Sequence, residues 1–339
     1  MKSKSVIRFL FCILAVLISS CASAPATAVP TSAPAVESGP VSFVWSTAGD
    51  EKPLETPSGI TIDAQGNLYV VDTLNHQIRV FNAEGVNTAD WGELGSSEGQ
   101  FNFAWKPGLS ANDQDEVTAS VALDRAGNVY VADVGNSRIQ KFDQQGKFIA
   151  AWPTTELEGG GPSQVYDLAI DSQGNIYAVD LKYFVTKYDS QGRLITRWGG
   201  PGVEDGFIGE SGGLALDSND NVYVTHIFQS SIKKFDSSGK LLAEFTLPPK
   251  ESSIAGEDPN NASPFGIFID RQGNIYTTDF LNNRILVLDS SGQFLREWGR
   301  QGGDAGLLYG PVDIAVDAEG NIYVSETYNN RVQKFKPAE

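Results

Sequence analysis

Acidic side chains recur at a fixed position in this chain, and they could bind a metal ion or a charged substrate. A segment of the form Asp-x-x-Gly-Asn-φ-Tyr-x-x-Asp, where φ is apolar, occurs six times with small changes. Its last position holds Asp72, Asp133, Asp180, His226, Asp279 and Glu326. A role repeated in every copy usually belongs to the scaffold. We therefore expect each acid to cap its own loop and to pair with an arginine of its repeat, such as Arg138, Arg284 or Arg331.

The repeated segment predicts two antiparallel strands and the tight turn between them. A short apolar run ends at the first Asp, whose side chain can hydrogen-bond the turn backbone while the Gly supplies a positive φ. In the fourth copy Asp220 replaces this Gly, which is tolerable because Asp visits the left-handed region more readily than most residues. A third strand and a fourth strand, such as the one ending at Trp298, complete a four-stranded antiparallel meander.

Four-stranded repeats of this length stack radially as the blades of a β-propeller. The fourth strands contain Trp91, Trp152, Trp198, Phe245 and Trp298, and the last repeat has none of its own. Residues 41–46 have the same pattern and precede the first repeat. We therefore predict an all-β, six-bladed propeller over residues 41–339. Residues 41–46 would close the ring beside residues 331–336 and remove the open sheet edges.

In such a ring, the position just before each first strand should border the central channel. It holds Gly59, Ser120, Asp167, Gly213, Gly266 and Asp313. Asp167 and Asp313 are three blades apart and should face each other across the channel. Two carboxylates with backbone carbonyls could hold Ca²⁺ or another divalent cation, which prefers six or more oxygen ligands. The alternative is a pair of solvated acids at the channel mouth, and no other cofactor is expected.

Two neighbouring blades depart from the repeat in the loop between their second and third strands. In blade three Phe184 stands where arginine is expected, and in blade four the loop starting at His226 lacks both the acid and the arginine. Tyr183, Phe184, Ile227 and Phe228 could form an apolar patch, and exposed apolar patches mark binding sites. The alternative is that these rings are buried beneath the inter-blade loops. The predicted ligand-binding residues are Tyr183, Phe184, His226 and Phe228.

Histidine and cysteine are scarce. His76 and His226 occupy different places in their repeats, whereas catalytic zinc sites commonly use several histidines. Cys12 and Cys21 both lie in the N-terminal leader, which leaves the predicted propeller without a thiol or a disulfide. No Ser-His-Asp order or nucleotide-binding motif stands out. We therefore predict no catalytic residues.

Residues 1–20 have the pattern of an export signal. Lys2, Lys4 and Arg8 give a positive start, and the apolar stretch 9–18 is too short to span a bilayer as a helix. Residues 17–21 (LISSC) resemble the lipobox of bacterial lipoproteins, which implies lipid attachment at Cys21. The alternative is signal-peptide cleavage after residues 22–24, giving a soluble secreted or periplasmic protein. Residues 21–40, rich in Ala, Pro, Ser and Thr, should form a flexible tether.

The charge argues against nucleic acid as a partner. The chain carries a formal net charge of −17 at pH 7, and an acidic surface repels phosphate backbones and anionic lipid headgroups. We expect contact with a membrane only through the lipid anchor.

The repeats resemble the NHL family of six-bladed propellers. The resemblance rests on the Asp-x-x-Gly-Asn turns, on residues 279–285 (DFLNNRI) and 326–332 (ETYNNRV), and on the linker 95–101 (GSSEGQF). It covers residues 41–336 and implies the fold. It implies little about activity, since the family includes sensors, protein-binding scaffolds, RNA binders and rare lyases.

The inter-blade loops are long and irregular while the hairpins are short, and variable loops on a rigid scaffold usually carry binding. We therefore expect a non-enzymatic binding or scaffold module in the bacterial cell envelope, monomeric, with a protein, peptide or glycan ligand on the inter-blade loops. The alternative is a metal-dependent lyase or a hydrolase such as a lactonase, using the central channel with Asp167, Asp313 and His226.

Overall fold

The computed structural model describes residues 41–49, 51–103, 119–154, 163–202, 206–250 and 262–337. The leader with Cys21, the tether and parts of four inter-blade loops lie outside these residues. Within the described ranges, 24 strands form six four-stranded antiparallel sheets, which confirms the predicted six-bladed propeller.

Five blades follow the chain in order. Blade one contains β2 (Pro57–Ile62), β3 (Leu68–Asp72), β4 (Gln77–Phe81) and β5 (Asn87–Trp91). Blade two contains β6 (Val121–Leu123), β7 (Val129–Asp133), β8 (Arg138–Phe142) and β9 (Phe148–Pro153). Blade three contains β10 (Val165–Ile170), β11 (Ile176–Asp180), β12 (Phe184–Tyr188) and β13 (Leu194–Gly199). Blade four contains β14 (Leu214–Leu216), β15 (Val222–His226), β16 (Ser231–Phe235) and β17 (Leu241–Thr246). Blade five contains β18 (Pro264–Ile269), β19 (Ile275–Asp279), β20 (Arg284–Leu288) and β21 (Phe294–Trp298).

Blade six joins the two ends of the described chain. It contains β22 (Pro311–Val316), β23 (Ile322–Glu326), β24 (Arg331–Lys336) and the N-terminal strand β1 (Ser42–Ser46), in that order. Strand β1 pairs antiparallel with β24, from Ser42 opposite Lys336 to Ser46 opposite Gln333, with a bulge between Phe43 and Trp45. The predicted closure of the ring by residues 41–46 is confirmed.

The turn after each first strand has the predicted chemistry. In blade one, Asp63 Oδ1 accepts hydrogen bonds from the N–H groups of Gln65 and Asn67, at 2.9 and 2.8 Å. The Asn67 side chain donates to the other carboxylate oxygen, and Gly66 has φ +84°. Asp220, which replaces this glycine in blade four, has φ +60°.

Neighbouring blades meet where a fourth-strand aromatic ring lies on a glycine of the next blade. A Cβ atom added to the glycine of the turn between the third and fourth strands would overlap this ring in five cases. The pairs are Trp45 with Gly85, Trp91 with Gly146, Trp152 with Gly192, Trp198 with Gly239 and Phe245 with Gly292. Each glycine also has a positive φ, so the position needs glycine for two independent reasons. The remaining ring, Trp298, lies 6.5 Å from Phe335.

The mutation Gly192→Ala is expected to lower the free energy of unfolding by about 2–5 kcal/mol. A left-handed alanine costs about 1–2 kcal/mol, and overlap with Trp152 adds about 1–3 kcal/mol. Gly174→Ala is the matched control, since Gly174 has φ +85° but its added Cβ meets only the Ser190 Cβ at 3.7 Å. Urea unfolding of both variants measures the difference. Equal losses would contradict a role for the contact between blades.

Candidate functional site

The loops that vary most gather at one end of the ring, which we call the inter-blade face. It is formed by the loops between the second and third strands of each blade and by the segments that join blades. The opposite end carries the hairpin turns and is called the hairpin face. Four places are candidates for function. The first is the acid ring, by which we mean the last residues of the six second strands: Asp72, Asp133, Asp180, His226, Asp279 and Glu326. The others are the patch of blades three and four, a set of aromatic rings in blades five and six, and the central channel.

The acid ring is buried and has partners from its own blade and loops. Asp133 and Asp279 each accept a hydrogen bond from the Nε of Arg138 and Arg284 at 2.7 Å. Glu326 accepts one from Arg331 Nε at 2.8 Å. The same carboxylates accept main-chain N–H groups, as Asp133 does from Asn102 at 2.7 Å. The expected scaffold role of these acids as loop caps and arginine partners is confirmed for these three blades.

In the three other blades, a cation also lies near the loop that follows the second strand, but it comes from a different position in the sequence. In blade one, Arg79 lies 3.5 Å from Asp72 and two residues later than the expected arginine. In blade three, Arg197 of the fourth strand reaches Asp180 at 2.7 Å. In blade four, Lys233 lies at the position equivalent to Arg79 and donates to the Phe207 carbonyl at 3.0 Å. The loops of blades three and four do lack the arginine of the repeat, as the sequence shows, and Arg197 and Lys233 bring a cation to these blades from other positions.

Two of the four predicted ligand-binding residues, Phe184 and His226, lie at strand ends and have partners within the protein. The Arg197 guanidinium carbon is 3.9 Å from the centroid of the Phe184 ring and covers one face of that ring. His226 is only 2% exposed, accepts the Gln229 N–H at 3.3 Å through Nδ1, and lies 3.4 Å from the Gly202 carbonyl through Nε2. Burial lowers the pKa of His226. It therefore acts as a neutral loop cap near pH 7, in place of the acid found in other blades.

The other two residues border the surface. Phe228 is 51% exposed, while Tyr183 is half-buried and has a left-handed φ of +65°. Ile227, expected in the same patch, is buried. The predicted apolar patch is therefore smaller than the sequence suggested, and a ligand-binding role for its residues stays a prediction.

A carboxylate that the sequence analysis missed lies beside this patch. Glu210 is half-buried and its main-chain oxygen accepts the N–H of Ile227, the residue before Phe228, at 2.8 Å. Burial raises the pKa of Glu210. Burial and the negative charge of Glu210 both raise the pKa of Tyr183. Glu210 lies outside the repeated segment, so the sequence pattern did not indicate it as a site residue.

The sequence analysis also missed an arc of four aromatic rings in blades five and six. The ring centroids of Tyr309 and Tyr328 are 4.8 Å apart, those of Tyr328 and Phe280 5.5 Å, and those of Phe280 and Phe265 5.0 Å. We call these four residues the aromatic arc. All four come from loops or strand ends of the inter-blade face. The available signal was the occurrence of large aromatic residues in the same loops of two consecutive blades.

Asp167 and Asp313 occupy equivalent places on opposite sides of the channel, as predicted. Asp167 accepts the N–H groups of Leu168 at 2.8 Å and of Leu214, in the next blade, at 2.7 Å. Asp313 accepts those of Ile314 and of Ile60, again in the next blade, both at 2.8 Å. Each carboxylate thus joins two neighbouring first strands at the channel wall.

The two channel acids hold their protons more tightly than ordinary aspartates. Burial raises the pKa of Asp167 to about 6, against the opposing effect of its hydrogen bonds. Burial and the negative charge of Asp167 together raise the pKa of Asp313 to about 8. At pH 7 the pair therefore carries close to one negative charge.

Both acids line a cavity of about 250 Å³ inside the ring. The other residues that line it lie in or next to the first strands and include Ile60, Leu168 and Ile314. A hard cation takes six or more oxygen ligands, whereas this wall offers two carboxylates already engaged with main-chain N–H groups. Among the described residues no group of three or more His, Cys, Asp or Glu side chains could hold a metal ion. The divalent-cation site at Asp167 and Asp313 stays a prediction.

The described part of the chain also has no helix long and apolar enough to cross a membrane.

Arg197→Ala is expected to cost about 3–5 kcal/mol of stability, because it leaves the buried Asp180 without its cation. Arg193→Ala is the control on the same strand-turn unit. Arg193 pairs with Asp189 at 2.6 Å but its side chain is 77% exposed, so its loss should cost less than about 1 kcal/mol. Chemical unfolding of the two variants compares these values. Similar small losses would show that Arg197 is not needed to balance Asp180.

Asp313→Asn is expected to flatten the pH dependence of stability. The folded-state pKa of Asp313 is about 8, and unfolded aspartate has a pKa of about 3.9. The folded state therefore binds more protons between these values, and the wild-type free energy of unfolding falls as the pH rises from about 4 to about 8. The slope is at most about 1.4 kcal/mol per pH unit for one group, and smaller here because Asp313 is partly accessible from the channel.

Urea unfolding at a series of pH values measures this slope. Glu319→Gln removes one exposed acid from the hairpin face and should keep the wild-type slope. If Asp313→Asn also kept that slope, Asp313 would be ionised in the folded protein near neutral pH.

Comparison with known proteins supports the repeat type and the fold. The NHL repeat family model matches residues 54–81, 119–142 and 308–335, which lie in blades one, two and six. Human NHL repeat-containing protein 3 is 32% identical over 115 residues, which is 33% of this chain and 29% of that protein. Protein brain tumor of Drosophila melanogaster is 26% identical over 127 residues, covering 37% of this chain and 10% of that protein. The chain thus matches less than a third of the length of these curated relatives.

Among solved structures, a streptogramin B lyase has a TM-score of 0.57 at 15% identity, covering 88% of this chain and 96% of that chain. Virginiamycin B lyase from Staphylococcus aureus has a TM-score of 0.55 at 14% identity, covering 84% and 96% of the two chains. At such low identity these similarities concern the fold alone. Together with the six described sheets, they identify the chain as a six-bladed β-propeller that carries NHL repeats.

Proposed function

We propose that this protein is a non-enzymatic binding module that holds a protein, peptide or glycan ligand on its inter-blade face. The observation that carries the proposal is the aromatic arc. Aromatic side chains supply large contact areas in binding sites with little conformational entropy to lose.

The aromatic arc is rigidly supported and partly open. Tyr309 is 38% exposed at its outer end. The Tyr309 N–H donates to Glu326 Oε2 at 2.8 Å, and the next N–H, of Gly310, donates to Asn283 Oδ1 at 2.9 Å. Gly310 has φ +63°, and an added Cβ would run into the Tyr328 ring. A surface whose backbone is already fixed loses less freedom when it binds a ligand.

The proposed attachment is a lipid on Cys21, with residues 21–40 as the tether, which would place the protein outside the cytoplasm in a bacterial cell envelope. The position of strand β1 indicates from which face of the propeller the tether would leave. Ser42, at the start of β1, lies opposite Lys336 at the end of β24, and β24 runs from the inter-blade face to the hairpin face. A tether that enters at Ser42 therefore leaves from the hairpin face, opposite the aromatic arc. The acidic charge favours a monomer that avoids nucleic acid.

A metal-dependent lyase or hydrolase acting in the channel ranks second. The observation in its favour is the acid pair beside a cavity, with raised pKa values at Asp167 and Asp313. Carboxyl groups with raised pKa values can act as acids or bases. Against it, both carboxylates already link neighbouring blades through main-chain N–H groups.

The proposal is tested by applying the full chain, purified in detergent, to peptide and glycan arrays. We expect specific ligands whose binding drops at least tenfold in Tyr309→Ala, since an aromatic side chain that anchors an interface contributes about 2 kcal/mol or more. Phe294→Ala is the matched control, because Phe294 is similarly exposed but lies on the outer strand β21. If no ligand is found, or if Phe294→Ala weakens binding equally, the inter-blade face is not the binding site.

A further inference from the structure

We propose that Glu210, Tyr183 and Phe228 form a site for a lysine or arginine side chain of a protein partner. The inference rests on the proposed function, since it places the ligand on the same inter-blade face. It adds the chemical class of the group that is recognised and the residue that acts as its counter-ion.

Main-chain hydrogen bonds bring the three residues together from three segments. The Gly200 N–H donates to the Tyr183 carbonyl at 2.6 Å. The Gly200 carbonyl in turn accepts the N–H of Gly209, the residue before Glu210, at 3.2 Å. The Glu210 carbonyl accepts the Ile227 N–H at 2.8 Å, which fixes the neighbouring Phe228. The site is therefore built on a connected backbone network and does not depend on one loose loop.

Glu210 differs from the nearby acids of the ring because its carboxylate has no partner among the described residues. Asp180 is matched by Arg197 at 2.7 Å and by the Ser163 hydroxyl at 2.6 Å. For the side chain of Glu210 no hydrogen bond or ion pair is formed within the described chain, and burial alone raises its pKa. A half-buried carboxylate without a partner is costly, and a cation from outside would relieve that cost.

The same combination of acid, cation and aromatic ring is complete elsewhere in the molecule. Lys141 Nζ lies 4.7 Å from the Tyr130 ring centroid and 3.2 Å from Asp124. Lys234 Nζ lies 4.9 Å from the Tyr223 ring centroid and 3.0 Å from Asp217. At Glu210 the acid and the rings are present, while the described residues supply no cation.

Exposure of Phe228 favours an outside cation over an internal one. Half of this large apolar side chain is accessible, and it directly follows Ile227, whose N–H donates to the Glu210 main-chain oxygen. A cation over an aromatic face is attracted by its quadrupole. An alkyl-ammonium or guanidinium side chain would cover the ring with its stem and meet Glu210 with its charged head. The overall negative charge would speed the approach of a basic partner.

The test uses Nα-acetyl-lysine methylamide and Nα-acetyl-arginine methylamide as probes, with uncharged Nα-acetyl-norleucine methylamide for comparison. Ligand-observed saturation-transfer NMR on the full chain in detergent measures the dissociation constants. We expect at least one charged probe to bind and the norleucine probe not to bind. Glu210→Gln should weaken binding about tenfold or more, and Phe228→Ala about three- to tenfold.

Glu319→Gln is the control, because it removes one negative charge from an exposed position on the hairpin face. It should leave the dissociation constant unchanged. Equal weakening by Glu210→Gln and Glu319→Gln, binding of the norleucine probe at similar strength, or no binding at all would overturn the proposed cation site. Array ligands that depend on Tyr309 would still support the binding function, so the two proposals fail separately.

Discussion

The propeller depends on a contact that recurs at five of its six blade junctions, in which the last strand of one blade lays an aromatic ring on a glycine of the next blade. Trp152 on Gly192 is an example, and the glycine can have neither a side chain nor an ordinary backbone conformation. Blade six also needs a fourth strand whose aromatic ring can meet blade one. Strand β1 supplies it, and Trp45 then covers Gly85 in blade one as the other rings do in their blades.

Most of the buried charged side chains stabilise the scaffold. The acids at the ends of the second strands hold their own loops and meet a cation, and the source of that cation changes from blade to blade. Arg284 comes from the start of its third strand, whereas Arg197 comes from the fourth strand of blade three. Carboxylates left without a cation therefore stand out. Asp313 uses main-chain N–H groups to join two blades, and Glu210 has no partner within the described residues. The carboxylate of Asp313 has a structural role, and that of Glu210 is the basis of the proposed cation site.

The inter-blade face is asymmetric although the scaffold repeats. Blades five and six present the aromatic arc ending at Tyr309, while blade four presents the exposed Phe228. A partner that spans the channel mouth could engage both, with apolar contact on one side and a basic side chain on the other. Short hairpins on the opposite face offer no comparable surface among the described residues, and β1 begins at that face.

The sequence alone determined the blade, the number of blades, the closing strand and the opposition of Asp167 and Asp313. These features depend on turn chemistry within about five residues and on a repeat period, and both can be read directly from the chain. Only the tertiary structure decided which side chains fill a shared space. It placed Arg197 over Phe184, buried His226 as a loop cap, assembled the aromatic arc and left Glu210 without a cation. These outcomes depend on how segments from different strands and blades pack, and residues far apart in sequence carry no local signal of that packing.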